Sequence, residues 1–253
     1  MKLTFLGTGT STGIPVIGCN CRVCTSSDKH DKRLRTSALL ETTQGTRILF
    51  DCGPDFRQQI LPFSFRPFDA ILLTHEHYDH VGGLDDLRPY SIFGSQQIYA
   101  NAICTRHIKE RMPYCFAGNT PSGVPQLCLH EVSSGTPFNI NELEILPIEV
   151  MHGPLPILSY RIGSFAYITD LKTISPESEQ MLHGVDTLVL NALRHTPHVT
   201  HQTIDEAVAL SQRIGAKNTY LIHFNHDAPL HREALEQLPK GIWPAYDGLQ
   251  IEV

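Results

Sequence analysis

Residues 71–80 read I-L-L-T-H-E-H-Y-D-H, an apolar run that stops abruptly on His75, His77, Asp79 and His80. The run Ala70–Thr74 predicts a short buried strand, and Gly82-Gly83 just beyond permits a tight turn. Side chains two positions apart point the same way only while the chain stays extended. His75 and His77 therefore leave the strand end together, and Asp79 and His80 turn back from the following loop or first helical turn. Neutral imidazoles and a carboxylate are what zinc, manganese or iron accept. One histidine in such a place would read as a solvated loop residue. The H-x-H-x-D-H spacing at the end of an apolar strand reads as a set of metal ligands.

Further along the chain the same pattern returns. His152 follows E-V-M at the end of an apolar strand, Asp170 ends F-A-Y-I-T-D, and His223 ends the strand Asn218–His223 within L-I-H-F-N-H. Each could be an ordinary turn residue, but the repeated strand-end position beside a metal motif marks them as candidates. Upstream, G-C-N-C-R-V-C puts Cys19, Cys21 and Cys24 within six residues. Three such thiols can wrap one tetrahedral ion, with a fourth ligand from elsewhere. His30 is the local competitor for that place. A closed Cys3His site leaves no position for substrate, so it would be structural. Glycines 7, 9 and 13 in G-T-G-T-S-T-G allow either a loop that aims N–H groups at an anion or a sharp turn between strands. The loop is not a P-loop, since the Lys-Ser/Thr ending is missing.

H-E-H-Y-D-H matches the signature of the metallo-β-lactamase fold hydrolases, and the downstream residues extend the resemblance over nearly the whole chain. Within that group the chain looks most like the phosphonate-pathway cyclic phosphodiesterases, which cleave a phosphoribosyl 1,2-cyclic phosphate and are similar to tRNA 3′-processing endonucleases. The resemblance implies a four-layer αββα sandwich. It implies one metal held by His75, His77 and His152, a second by Asp79, His80 and His223, and Asp170 bridging the pair. It gives His226 as the fourth ligand of a structural zinc with Cys19, Cys21 and Cys24, pinning the loop at 18–30 to the C-terminal part of the fold. Asp51, in D-C-G, would orient a metal-binding histidine, although the residue also reads as a helix N-cap for Asp55–Leu61. His201 begins H-Q-T, similar to the H-x-T segment of the tRNA-processing relatives, and would serve as proton donor or transition-state contact, with His198 second. Asp79 is expected as an ionised ligand within the catalytic set. Histidine and carboxylate ligation suits two zinc or manganese ions.

The function so implied is hydrolysis of a phosphodiester, most concretely a small cyclic phosphate such as a ribose 1,2-cyclic phosphate. Two alternatives stand beside it. One is hydrolysis of a thioester or lactam on the same centre; the other is an accessory binding role like that of the pyrroloquinoline quinone biosynthesis relatives, in which part of the ligand set is missing.

Composition bounds these readings. The chain has 253 residues, 41% of them hydrophobic, enough for one large domain spanning 1–253. A formal charge of −6 argues against a broad nucleic-acid surface and so against a large nucleic-acid partner, while leaving room for a local basic pocket. The N-terminus shows no basic-then-apolar signal and no run approaches the ~20 apolar residues of a membrane span, so the reading expects a cytoplasmic protein with a small phosphodiester substrate and no membrane contact. A homodimer is compatible with it. Seven cysteines there suggest metal ligation or free thiols, and Cys52, Cys104, Cys115 and Cys128 read as small buried residues.

The coarse pattern is α/β. Strands are expected at Lys2–Leu6, Ser37–Glu41, Thr46–Phe50, Gln97–Ala100, Gln126–Glu131, Glu142–Val150, Ser159–Gly163, Phe165–Thr169 and Asp186–Leu190, with two short ones around Trp243–Tyr246 and Leu249–Val253. Helices are expected at Leu84–Phe93 despite Pro89, Ala102–Arg111, Pro176–His183, Ile204–Gly215 and Leu230–Leu238, and a loop from Met112 to Pro125.

Overall fold

A computed structural model of the chain describes residues 1–116 and 123–253; the loop read at Met112–Pro125 falls partly outside them. The chain runs through β1 (Lys2–Gly7), β2 (Ser37–Glu41), β3 (Arg47–Phe50), α1 (Phe56–Ile60), β4 (Ala70–Leu72), α2 (Tyr78–Val81), β5 (Gln96–Ala100), α3 (Ala102–Arg111) and β6 (Leu127–Glu131). It continues through β7 (Phe138–Ile140), β8 (Leu143–His152), β9 (Leu155–Ile162), β10 (Phe165–Ile168), α4 (Pro176–Gln180), β11 (Thr187–Asn191), α5 (Ile204–Ile214), β12 (Asn218–Ile222), α6 (His231–Gln237), β13 (Ile242–Pro244) and β14 (Gln250–Glu252). One seven-stranded sheet has the order β14-β1-β2-β3-β4-β5-β6, the other β13-β12-β11-β10-β9-β8-β7.

Strict alternation of side chains builds the layers. In β3, Ile48 and Phe50 face the core between the sheets while Leu49 faces outward; in β10, Phe165 and Tyr167 face inward while Ala166 and Ile168 face outward. Both faces of each central strand are apolar because each sheet is covered on both sides. The inner core stacks Phe50 on Tyr167 at 4.5 Å between ring centres, so Phe50→Ala would cost about 3–5 kcal/mol. Outside the first sheet lie Phe56 of α1 with Cys104 and Ile108 of α3; outside the second lie Ile204, Ala207, Leu210 and Ile214, one face of α5. The outcome is the expected αββα sandwich of two mixed sheets flanked by helices.

Strand direction positions the site. β3 to β6 run parallel to one another, as do β10 to β13, so their C-terminal ends share an edge. Ligands of open α/β sheets gather outside such ends. The sheets are tied there by Leu158 N–H donating to Thr74 O at 2.9 Å and Tyr160 O–H donating to Leu73 O at 2.7 Å.

Several elements differ from the sequence reading, among them α4, which ends at Gln180 rather than His183. The strand expected at Ala70–Thr74 is regular only to Leu72: Leu73 N–H still donates to Tyr99 O of β5, but the Leu73 and Thr74 carbonyls turn to Tyr160 and Leu158 of the other sheet and the Thr74 N–H to Asp51. Leu84–Phe93 is a 3-10 helix, its Pro89 lacking the N–H an α-helix would use there. β7 went unread, and β9 begins at Leu155, four residues earlier than expected.

Candidate metal centres

The loop that carries the H-x-H-x-D-H motif is shaped by what holds its two ends. Thr74, just past β4, donates its N–H to Asp51 Oδ1 at 2.8 Å, and its hydroxyl lies 3.1 Å from both Asp51 oxygens. His77 caps α2, so Asp79 and His80 sit in the first helical turn, with His80 N–H donating to His77 O at 2.9 Å. The 51–53 segment closes against that turn: Cys52 N–H donates to His80 O at 2.8 Å, and a Cβ on Gly53 would stand 2.1 Å from Asp79 O. Only glycine allows this approach.

The strand-end residues read from the sequence converge here. His75, His77 and His152 form one group, and Asp79, His80, Asp170 and His223 another; within each group the potential ligand atoms lie within 4.8 Å of one another. Asp170 stands between them. Its Oδ2 is 3.8 Å from His75 Nε2, and its Oδ1 is 3.3 Å from His80 Nε2 and 3.2 Å from His223 Nδ1. Asp79 Oδ2 is 3.2 Å from His80 Nε2. All these side chains are buried except that of His77, which opens to the surface. Asp51, Asp170 and His223 each follow a strand with φ of 56°, 57° and 63°, the left-handed region that non-glycine residues rarely occupy. Such strain gathers at functional sites, where the surrounding structure imposes it.

Hydrogen bonds leave one ring nitrogen of His75, His80 and His152 facing inward. His152 Nδ1 donates to the carbonyls of Asp170 and Thr200 at 2.8 and 2.9 Å. His80 Nδ1 meets Asp51 Oδ2 at 2.7 Å and His75 Nδ1 meets Thr74 Oγ1 at 3.0 Å, whereas His223 is met on both sides, Nε2 by Thr10 Oγ1 and Nδ1 by Thr36 Oγ1, each at 3.1 Å. Asp51 is therefore a partner of His80. The N-cap alternative fails, because Asp55 occupies the N-cap of α1. Thr10, Thr36 and Thr74, which hold these rings, were not singled out from the sequence; a hydroxyl inside an apolar run or glycine loop carries no signal of its own. Nor was Glu76, buried beside His107 at 3.3 Å.

Electrostatics favour bound cations. Burial, and then the neighbouring His80, hold the His75 imidazole far below its usual pKa. Burial also opposes charge on His80, but Asp170, Asp79 and Asp51 outweigh it and raise that pKa. Although burial pushes Asp79 and Asp170 upward, His80 holds Asp79 below the usual carboxylate range and His223 and His80 do the same for Asp170. His75 Nε2, His80 Nε2 and His201 Nδ1 are buried with no hydrogen-bond partner among the described residues. Each unpaired buried polar atom costs about 1–3 kcal/mol. All three face the Asp170 carboxylate, and lone pairs converging on ionised carboxylates are what a divalent metal satisfies. The residues fit the metal ions that this fold implies.

His201 stands at the N-terminal side of α5, whose start is set by a reciprocal cap between Thr203 and Glu206. Its Nδ1 lies 3.8 Å from Asp170 Oδ2, close enough to group with His152 and Asp170. Burial, against the pull of Asp170, lowers its pKa to about 3, so the ring is neutral. His198 is next to it, 5.1 Å between ring centres, while His195 faces solvent beside Asp205.

A second cluster joins Cys19, Cys21, Cys24 and His226. His226 Nδ1 is 3.1, 3.7 and 3.8 Å from the three sulfurs in that order. The Cys24 N–H pointing at Cys21 Sγ lowers that thiol to about 6, whereas burial raises Cys24 to about 11. His30, the local competitor, packs instead on His231 and Tyr246.

Comparison with known proteins agrees with this geometry. The model of the β-lactamase superfamily domain matches residues 46–224. A Porphyromonas gingivalis protein named octanoyltransferase is 48% identical over 251 residues, 99% of this chain but 51% of its own length. The coenzyme PQQ synthesis protein B of Methylobacterium radiotolerans is 28% identical over 142 residues, 50% of this chain and 47% of that protein. The chain thus spans about half the length of these relatives. Among solved structures, a diphosphatase of the PhnP family superposes with a TM-score of 0.91 at 43% identity, covering 99% of this chain and 96% of that one. With these matches on the αββα frame and its strand-end ligands, the chain belongs to the β-lactamase superfamily and forms a metal-dependent hydrolase domain of the metallo-β-lactamase fold.

Proposed function

We propose that this domain hydrolyses phosphodiesters, with a small cyclic phosphate such as a ribose 1,2-cyclic phosphate as the substrate class. The observation that carries the reading is the complete set of seven ligand-type residues arranged in two groups around Asp170, with His201 left over beside them. The 43% identical diphosphatase, which acts on phosphorus, supports it. In this reading His75, His77 and His152 hold one divalent ion, Asp79, His80 and His223 the other, and Asp170 both; zinc or manganese suits the set. When bound, such a pair supplies Lewis acidity at the phosphoryl oxygens and acidifies a water toward neutrality. Cys19, Cys21, Cys24 and His226 hold a separate structural zinc.

The protein's own groups then do three things. Asp51 and Thr74 keep His80 and His75 in the tautomer that presents Nε2. The Asp170 and Thr200 carbonyls, accepting from His152 Nδ1, fix that ring so that Nε2 faces the centre. His201 is neutral in the free site; a phosphate anion docked beside it raises its proton affinity, so the ring takes up a proton from solvent as the substrate binds, passes it to the departing sugar oxygen and returns to neutral. General acid help of this kind typically contributes ~10²–10⁴-fold.

The experiment is His201→Ala on two diesters. The variant should lose roughly 10²-fold or more when the leaving group is a sugar alkoxide and far less when it is p-nitrophenolate, which needs no proton. Equal losses would assign His201 to charge stabilisation instead. A second reading, hydrolysis of an acyl thioester, draws on the relative named octanoyltransferase, although that protein is twice this chain's span. The accessory-protein reading is weakened by the full ligand set.

A further inference from the structure

Beside His201 lies a cavity of about 260 Å³ to which the reaction assigned above gives no occupant. Three segments build it: the Thr10–Thr12 part of the glycine loop, the stretch from Leu193 to His198 that leads into α5, and Asn225–Asp227 after β12. One wall is continuous with the metal centre, since Thr10 hydrogen-bonds His223 and His201 faces Asp170. Another wall is continuous with the thiol cluster through His226.

The walls are fixed in place. Thr10 N–H donates to Phe224 O at 3.0 Å and Asn225 N–H to Leu193 O at 3.1 Å, which ties the three segments together. Asn225 Oδ1 accepts the Asp227 N–H at 2.9 Å. What they present is polar: the hydroxyls of Ser11 and Thr12, both exposed, the Asn225 amide, the His198 ring and the Arg194–Asp227 pair. Charge decides between two occupants. A second phosphate would need a free cation, but the one guanidinium here is already held by Asp227 Oδ2 at 2.7 Å. Binding an anion would break that pair or bring a like charge against the carboxylate. A neutral group bearing several hydroxyls meets no such conflict. It can donate to Asp227 and accept from Arg194, Asn225 and the loop hydroxyls, and the volume suits one sugar ring.

We propose that this cavity is a subsite for the unphosphorylated sugar hydroxyls of the substrate, read by Asp227, Asn225 and the Ser11-Thr12 loop. The proposal rests on the phosphodiesterase reading only for the position of the scissile phosphate, which sits at the metal centre next door.

Calorimetric titration of the metal-loaded protein with inorganic phosphate, methyl phosphate, ribose 1-phosphate and ribose 1,5-bisphosphate tests it without turnover. Ribose 1-phosphate should bind at least tenfold tighter than methyl phosphate. In Asp227→Asn and in Ser11→Ala that ratio should fall toward one, two variants guarding against a fold defect in either. A ratio near one in the unmodified protein, or one unchanged by both substitutions, overturns the proposal. So does a bisphosphate that binds tighter than ribose 1-phosphate and loses its advantage in Arg194→Gln, which would make the cavity a phosphate site. Methyl p-nitrophenyl phosphate is assayed alongside. If the affinity ladder holds while this diester is not cleaved, the subsite stands and the hydrolytic reading fails.

Discussion

Replacing Asp51 by Asn isolates the tautomer argument on which the second metal group depends. Asparagine has the same shape, tolerates the left-handed backbone at φ 56°, and can still accept the Thr74 N–H now 2.8 Å from Oδ1. What changes is the atom 2.7 Å from His80 Nδ1, which becomes an N–H donor in place of a carboxylate oxygen. His80 Nδ1 must then accept, so the ring proton moves to Nε2, the nitrogen 3.2 and 3.3 Å from Asp79 and Asp170. A protonated Nε2 cannot ligate. Loss of an outer hydrogen-bond partner typically costs ~10–100-fold in metal affinity or activity, which is about 1.4–2.7 kcal/mol. Competition against a chromophoric chelator would read the affinity directly, with thermal melts of the metal-free protein checking that the fold is intact. One exchangeable ion should weaken by that factor while the other changes little. Affinity within twofold of the unmodified protein, in a variant that simply melts earlier, would show that Asp51 serves packing and that His80 does not depend on it.

Two further outcomes follow from the same geometry. Asp170→Ala should abolish turnover and release metal from both groups while leaving the sheets intact, since Asp170 lies just past the end of β10 and outside the inner core; retention of both ions on metal analysis would remove Asp170 from the bridging role. Cys21→Ser should lower total zinc by one equivalent and reduce melting temperature, because the loop from Gly18 would lose its tie to His226, and an unchanged melt with unchanged zinc would discard the structural site.

The residues that could be read in advance are those whose chemistry is rare in their setting. A histidine or carboxylate closing an apolar strand has few reasons to be there, and His75, His152, Asp170 and His223 all came from that pattern. The hydroxyls that orient them did not, because Thr74 in I-L-L-T looks like any β-branched strand residue until its bonds to Asp51 are seen. Strand limits failed where tertiary pull beat local pattern: Leu73 still donates to Tyr99 of β5, but Thr74 gives its N–H to Asp51 and its carbonyl to Leu158 of the opposite sheet. Pro154 and Pro156 hid the start of β9, where Leu155 pairs with His152 across a tight turn at Gly153. The competition between His30 and His226 for the thiols could not be decided locally, since His226 arrives from more than 200 residues away.

The most direct test is to remove exchangeable metal, restore it ion by ion, and measure initial rates on a phosphodiester, an octanoyl thioester and a β-lactam in parallel. The account predicts phosphodiester cleavage that needs two equivalents of zinc or manganese per chain, with a further zinc resisting the chelator and no comparable rate on the other two substrates. Full activity with a single equivalent, or faster hydrolysis of the thioester than of the phosphodiester, would contradict it.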